Sequence, residues 1–380
     1  MSTGRPTAGW WQTTTGARRR RNAALTAAAL LLVLFFPQIN DALNLGLAGK
    51  AIPIAIFITL ALGLNVVVGF AGLLDLGYAA FFAIGAYTAA FLTSTVSPIG
   101  YVHDHPVNFF LTMLASAAVA ALFGVLLGAP TLRLRGDYLA IVTLGFGEIV
   151  PLVVRNVPEY TKGTQGMNPI GVPELPFVTF GLATEPWYYL CVAVVLLSVV
   201  VTSRLRTSRI CRALVAIRED EVAAASVGIN PVSTKLFAFS LGASFSGFAG
   251  SIWASYLQVI APEQFDFSVS IFVLSMIILG GMGNVYGVIV GGLLLGGFDR
   301  VLAERTSDLL HGIGAALDLG LLREADLTKA RTLIFGLALV VMMLVRPEGL
   351  IPSARRRLEL HLAEERGGDA AERRANVEPD

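Results

Sequence analysis

The chain has 380 residues, of which 55% are hydrophobic and 14% are charged. An average soluble domain carries about 25% charged residues, so this composition excludes an ordinary water-soluble fold. The formal net charge of +1 identifies no partner, because in a membrane protein the positions of the basic residues carry the information and their sum does not.

A membrane-spanning helix needs about 20 mostly apolar residues, and such runs follow one another along the chain. We predict about ten of them, over residues 23–38, 47–68, 74–95, 108–130, 138–156, 186–203, 234–258, 268–281, 285–299 and 332–346. Residues 18–21 are all arginine, which favours a cytoplasmic N-terminus. The predicted fold is an all-α polytopic bundle in the plasma (inner) membrane, with both termini cytoplasmic.

Polar segments flank this bundle at both ends. We interpret residues 1–22 as a cytoplasmic segment and residues 23–350 as the membrane domain. Residues 351–380 are charged and lack an apolar period, so we expect a disordered cytoplasmic tail.

Between the spans, residues 97–106 and 157–186 are predicted to be external loops. Residues 300–331 mix charges of both signs at amphipathic spacing, which favours a surface helix. Cys191 lies in an apolar run and Cys211 in an arginine-rich segment, so we expect both to remain thiols outside any disulfide.

Glycine interrupts the apolar stretch from residue 64 to residue 90 at positions 69, 72, 77 and 85. Such glycines either allow close helix packing or mark backbone that is unwound around a pathway. Asn65 and Asp75 favour the second interpretation, because polar groups at membrane depth are costly unless they face a cavity or a partner. Both are candidate residues of a substrate path, although Asp75 also fits a cytoplasmic turn.

A single carboxylate, Glu148, lies about eleven residues into the run that begins at residue 138, which places it near mid-membrane at 1.5 Å per residue. A lone carboxylate at that depth either lines a path or serves packing. In the first case it would attract a substrate ammonium group. In the second it would pair with a neighbouring helix or with Arg155.

The segment at about residues 209–228 lies between two predicted spans on the cytoplasmic side. Its apolar residues recur at helical spacing; they are Leu214, Ile217, Val222 and Ala225. A charged cluster lies beside them and consists of Arg218, Glu219, Asp220 and Glu221. Gly228 and the following Asn230-Pro231 end the helix. The pattern predicts one amphipathic helix that either docks into a groove of a separate motor domain or lies on the bilayer.

A glycine cluster at residues 280–284 follows the run that begins at residue 268. A helix does not readily cross such a cluster, so we predict a tight reversal between two short spans. Two half-helices around a cavity would have the same pattern.

Several chemical motifs do not occur in the sequence. It contains no Gly-x-x-x-x-Gly-Lys-Ser/Thr phosphate loop, so the chain is not its own ATP motor. His103, Asp104 and His105 would form at most an incomplete metal site, and we expect a solvated loop with no metal. The spans contain no Ser/His/Asp or His-Glu-x-x-His arrangement, so we predict no catalytic residue.

Four segments, in this order, resemble the LivM-type family of branched-chain amino acid ABC transporter permeases. They are GLLDLGYAAFF (72–82), LRGDYLAIVTLGFGEI (134–149), AIREDEVAA (216–224) and LGGMGN (279–284). The closing RPEGL (346–350) is similar too. The resemblance covers roughly residues 45–352, whereas the first forty residues and the tail after Ser353 have no clear counterpart.

The resemblance implies a subunit that pairs with a second homologous permease, is driven by two ATP-binding subunits and receives leucine, isoleucine or valine from an extracytoplasmic solute-binding protein. ATP would bind to the partner subunits, this chain would hold no cofactor, and no nucleic acid is involved. Related permeases carry urea, short amides or other amino acids. The segment at 209–228 then corresponds to the coupling helix. Its family pattern, Glu-Ala-Ala followed by Gly, is matched loosely, because Val222 intrudes; the matching residues are Glu221, Ala223, Ala224 and Gly228.

An ion-coupled secondary transporter that works without an ATPase is the alternative from another class. It would need a complete intramembrane ion site, and one or two carboxylates are weak evidence for such a site. A structural scaffold is a third possibility, and the glycine-broken spans argue weakly against it.

Overall fold

The computed structural model describes residues 31–43, 46–100, 102, 105–131, 137–175, 178–181, 184–302, 331–346 and 348–351. The chain divides into two units, residues 1–49 and 50–380. In the first unit, helix α1 spans Leu31–Ala42, and the side-chain oxygen of Asn40 accepts a hydrogen bond from the Leu47 amide at 2.7 Å. The predicted N-terminal segment, the tail after residue 351 and the surface helix within 300–331 lie almost entirely outside the described residues.

Apolar helices form most of the remaining chain. In chain order they are α2 (Ala48–Asn65, continued by a π-helical turn at Val66–Phe70), α3 (Tyr78–Thr93), α4 (Phe109–Thr131), α5 (Asp137–Asn156), α6 (Pro158–Thr161), α7 (Thr184–Thr207), α8 (Arg209–Glu219), α9 (Glu221–Ser226), α10 (Pro231–Leu257), α11 (Phe267–Gly280), α12 (Val285–Gly297, continued by a π-helical turn at Phe298–Leu302) and α13 (Arg331–Val345). In the described part of the chain, six helices are long and apolar enough to cross a membrane. A helical membrane bundle is thus supported, and the count of ten spans stays a prediction.

Short elements fill the predicted external loop between α5 and α7. Strands β1 (Glu174–Leu175) and β2 (Val178–Thr179) pair antiparallel, and a 3-10 turn lies at Gly163–Gln165. A second 3-10 turn, Pro262–Phe265, lies between α10 and α11. The all-α prediction therefore missed one small hairpin. Neither Cys191 nor Cys211 forms a disulfide and both are buried, as the sequence predicted.

Helices α3, α4 and α10 pack against one another. Glycines make this close approach possible: a Cβ on Gly85 of α3 would lie 2.6 Å from the Cα of Gly247 in α10. A Cβ on Gly247 would in turn lie 2.7 Å from the Cα of Ala117 in α4. Small residues of this kind let helix backbones touch within a membrane, where dispersion forces drive association.

Helices α11 and α12 form the predicted tight reversal. They pack against each other along their glycines, and the connection contains Gly281 (φ +118°) and Gly283 (φ +77°), which adopt the positive φ that other residues avoid. The Asn284 side chain caps α12 by accepting a hydrogen bond from the Tyr286 amide and donates one to the Ile351 carbonyl at 2.9 Å. The reversal is thereby tied to the chain after α13.

Candidate functional site

The most irregular backbone within the bundle lies between α2 and α3. The π-helical turn at Val66–Phe70 is buried throughout, and residues 71–77, which we call the break, are not helical. Gly72 in the break has φ +70°, a conformation that glycine adopts without steric cost. Unwound backbone at this position was one of the two interpretations of the glycine-rich sequence.

Asn65 ties the end of α2 to the reversal between α11 and α12. Its side-chain oxygen accepts a hydrogen bond from the Gly283 amide at 2.9 Å, and the residue is completely buried. Its Nδ2 has no hydrogen-bond partner among the described residues. Asn65 thus acts here as a packing contact between two glycine-rich segments, and its place on a substrate path stays a prediction.

Asp75 lies in the break and is 1% exposed, so it is not a residue of a solvated turn. Its Oδ1 accepts a hydrogen bond from the Gly77 amide at 2.9 Å, whereas its Oδ2 has no partner within the described segments. Hydroxyls from other helices accept hydrogen bonds from two neighbouring amides. The Leu76 amide of the break donates to Thr143 of α5 at 3.1 Å, and the Ala79 amide in the first turn of α3 donates to Ser270 of α11 at 2.9 Å.

Arg218 of α8 contacts the same irregular segment from outside. Its guanidinium donates a hydrogen bond to the Gly69 carbonyl at 3.2 Å. Its methylene stem packs on the break, because a Cβ on Gly72 would lie 2.7 Å from the Arg218 Cγ. Cys211 and Leu214, two of the three buried residues of α8, belong to an apolar cluster that includes Val66 and Phe70. Helix α8 is therefore fastened to the π-helical turn and to the break.

The segment at 209–228 forms two helices, so the prediction of one amphipathic helix is wrong. Asp220 is extended (φ −153°, ψ 109°) and its carboxylate accepts hydrogen bonds from the Val222 and Ala223 amides at the start of α9. Leu214 and Ile217 are buried as expected, but Val222 is 70% exposed and Ala224 is buried instead.

Two further contacts hold α9 in place. Glu221 forms an ion pair with the buried Lys235 of α10, with 2.8 Å between the carboxylate oxygen and Nζ. Gly228 has φ +89°, and the following amide, that of Ile229, donates to the Ala224 carbonyl at 3.1 Å, which ends the helix by a glycine C-cap.

The outer side of α8 and α9 is left exposed. Glu219 and Asp220 are exposed, and Val222 and Val227 expose 70% and 77% of their surface. We call Glu219, Val222 and Val227 the outer patch. It combines two exposed apolar side chains with a carboxylate.

Glu148 lies on the exposed side of α5. Arg155, one of the two partners that the packing interpretation offered for Glu148, forms an ion pair with Glu263 at 3.1 Å. The buried side of α5, with Thr143 and Gly147, faces the break. The three predicted path residues are therefore not gathered at one site, because Asn65 and Asp75 are interior whereas Glu148 points outwards.

Two residues at the site were missed by the sequence analysis, namely Thr143 and Lys235. Thr143 gives no signal in the sequence, because a threonine in an apolar span is common. Lys235 does give one: it is a lysine at the start of an apolar run, four residues after Pro231, and a buried lysine requires a carboxylate partner.

Residues 46–313 match the family model described as the permease component of the branched-chain amino acid transport system. The chain is similar to the high-affinity branched-chain amino acid transport system permease protein LivM of Salmonella typhimurium, with 39% identity over 337 residues that cover 83% of this chain and 72% of the relative. The LivM protein of Escherichia coli K12 matches with the same identity and coverage. The permease protein LivH of S. typhimurium is 21% identical over 271 residues, covering 69% of this chain and 84% of LivH. No solved structure matches significantly.

Proposed function

The chain belongs to the family of branched-chain amino acid transport permease components, and we propose that it is the membrane-spanning subunit of an ATP-driven importer for leucine, isoleucine and valine. The single observation that carries the substrate class is the 39% identity to LivM over most of the chain. Urea, short amides and other amino acids are the competing solutes within the same class of transporter.

The proposed assembly contains a second, homologous permease, two ATP-binding subunits and an extracytoplasmic solute-binding protein. The simultaneous similarity to LivM and to LivH supports a pair of homologous permeases. The need for separate ATP-binding subunits follows from the sequence, which contains no phosphate-binding loop. In this proposal the chain crosses the plasma (inner) membrane about ten times and both termini are cytoplasmic.

Helices α8 and α9 serve as the coupling element in this mechanism. The outer patch docks into a groove on an ATP-binding subunit, and closure of the two ATP-binding subunits displaces α8 and α9. The Arg218 contacts with Gly69 and Gly72 pass that displacement to the break, and the Leu76–Thr143 hydrogen bond passes it to α5. The spans then rock, and solute moves between the two permease chains.

Introducing a charge into the outer patch tests the docking step. We expect Val227→Glu to reduce the amount of ATP-binding subunit that co-purifies with the chain by about tenfold, because a charge would be buried in an apolar contact. The measurement is the molar ratio of the chains in mild detergent, determined by quantitative mass spectrometry.

The matched control is Val232→Glu, which places the same charge on an exposed valine (52%) at the start of α10, outside the outer patch. Glu221 is unsuitable for this test, because its reversal to lysine would also leave Lys235 without its ion-pair partner. Equal recovery of the ATP-binding subunit with Val227→Glu and with wild type would show that the outer patch is not the docking surface.

The energy source for uptake distinguishes the proposed ATP-driven importer from an ion-coupled transporter. Uptake of labelled leucine by cells that depend on this system should stop when ATP is depleted and should persist when an ionophore collapses the ion gradients at constant ATP. The reverse pattern would favour ion coupling. The described residues give that alternative little support, because Asp75 and Glu148 lie on opposite sides of the α5 contact and do not form a common ion site.

A further inference from the structure

We propose that the exposed face of α5, centred on Glu148, is the surface against which the second permease subunit packs. This inference rests on the proposed function, since it specifies where the partner permease binds. It starts from the exposure of α5: only 22% of the residues in its apolar stretch are buried, against 83% for α2.

The exposed residues of α5 recur at helical spacing and therefore form one continuous face. They include Tyr138, Ile141, Gly145, Glu148, Ile149 and Leu152. We call this set the α5 face. The opposite side of the helix is occupied by its contact with the break, through Thr143 and Gly147.

A carboxylate in the middle of this face argues against a lipid environment. Helix α5 has 20 residues, so Glu148 lies about 16 Å from its start and near the centre of a bilayer. A charged side chain is costly at that depth, and such residues almost always face protein or a water-filled cavity. No hydrogen bond or ion pair to Glu148 occurs among the described residues. Arg155 forms its ion pair with Glu263 instead.

Gly145 lies one turn before Glu148 and leaves room for another helix. No described atom lies within 4 Å of a Cβ placed on it. The glycines buried inside the bundle show the opposite, since each of Gly85, Gly247 and Gly250 touches the backbone of a neighbouring helix. A small residue on an outward face lets a partner helix approach closely, and the approach would bring polar groups of that helix within reach of Glu148.

The charge also indicates which chain binds there. A second copy of this chain, related by a twofold axis through the α5 face, would bring two Glu148 carboxylates together, and two like charges in a poorly solvated site cannot both ionise without cost. A homologous but different permease can instead present a hydrogen-bond donor or a cation. The structure thus favours a heterodimer, with α5 linking the break to the subunit contact.

Photo-cross-linking tests this assignment in the complete complex in its native membrane. A p-benzoylphenylalanine replaces Ile149 on the α5 face or, as the matched control, Val227 in the outer patch. We expect the Ile149 probe to capture the second permease and the Val227 probe to capture an ATP-binding subunit. If the Ile149 probe captures lipid or a second copy of this chain while the Val227 probe captures an ATP-binding subunit, the inference fails and the proposed function stands. If neither probe captures a transporter subunit, both fail.

Glu148 variants give a second measurement. Leucine at position 148 suits lipid, so a lipid-facing Glu148→Leu would leave the complex unchanged. A buried polar contact with the partner predicts about tenfold less co-purified second permease, and Glu148→Gln, which keeps hydrogen-bonding capacity, should recover most of it. Unchanged recovery with Glu148→Leu would contradict the inference.

Discussion

Replacing Arg218 by alanine is expected to lower the rate of leucine uptake at least about tenfold while the transporter subunits still co-purify. Arg218 joins α8 to the membrane core through its hydrogen bond to the Gly69 carbonyl and through the contact of its stem with Gly72. Without these contacts, α8 and α9 can still dock, but their displacement no longer reaches the break. ATP hydrolysis by the complex should therefore continue with little transport.

The measurement is the number of leucine molecules imported per ATP hydrolysed in reconstituted vesicles. Arg212→Ala is the matched control, because Arg212 is an exposed arginine of the same helix whose guanidinium donates to the nearby Thr207 carbonyl and not to the core. Arg218→Lys keeps the charge and the stem and should retain an intermediate ratio. A normal ratio in Arg218→Ala would remove this contact from the transmission of movement.

Replacing Gly250 by alanine is expected to destabilise the folded chain by about 1–3 kcal/mol or more. A Cβ at this position of α10 would lie 2.5 Å from the Phe82 carbonyl oxygen and 2.6 Å from the Ala86 amide nitrogen of α3. Both neighbours are backbone atoms, so the two helices must separate to make room. The lost contacts are the dispersion interactions on which membrane helix packing depends.

The folded fraction that remains after heating in detergent, measured by size-exclusion chromatography, reports this loss. Gly336→Ala is the control. Gly336 also lies within an apolar helix, α13, but a Cβ on it meets no described atom within 4 Å. Alanine favours a helix over glycine by about 1 kcal/mol, so this variant should be as stable as wild type or more stable. Equal heat resistance of both variants would show that α3 and α10 are packed less tightly than the structure has them.

Several segments of the candidate site were located from the sequence alone. Glycines at positions 69, 72 and 77 gave irregular backbone as one of two interpretations, and the cluster at 280–284 predicted the reversal. Both predictions depend on local backbone preference, since glycine is the residue that tolerates positive φ. The order of the four family-like segments also predicted the family that the comparisons identify.

The buried face after Asp220 was predicted wrongly. Around a continuous helix, at about 100° per residue, Val222 lies about 140° from Ile217 whereas Ala224 lies about 20° from it, so the spacing itself favours Ala224 on the buried face. The extended backbone of Asp220 divides the segment into two helices, and the ion pair between Glu221 and Lys235 ties the second helix to α10. That ion pair joins side chains that are 14 positions apart and lie in two different helices. Hydrophobic periodicity in the sequence does not predict such a contact.

By itself, the sequence determined the class of protein, the apolar helices, the glycine-rich turns and the family, because each depends on composition, local backbone preference or the order of similar segments. The tertiary structure decided which polar residues face inwards. Asn65 and Asp75 are buried in the packing around the break, whereas Glu148 is exposed on the α5 face. The physical reason is that apolar residues surround a membrane helix on all sides, so hydrophobic periodicity cannot show which side packs against protein. Only the packed neighbours of each helix settle that.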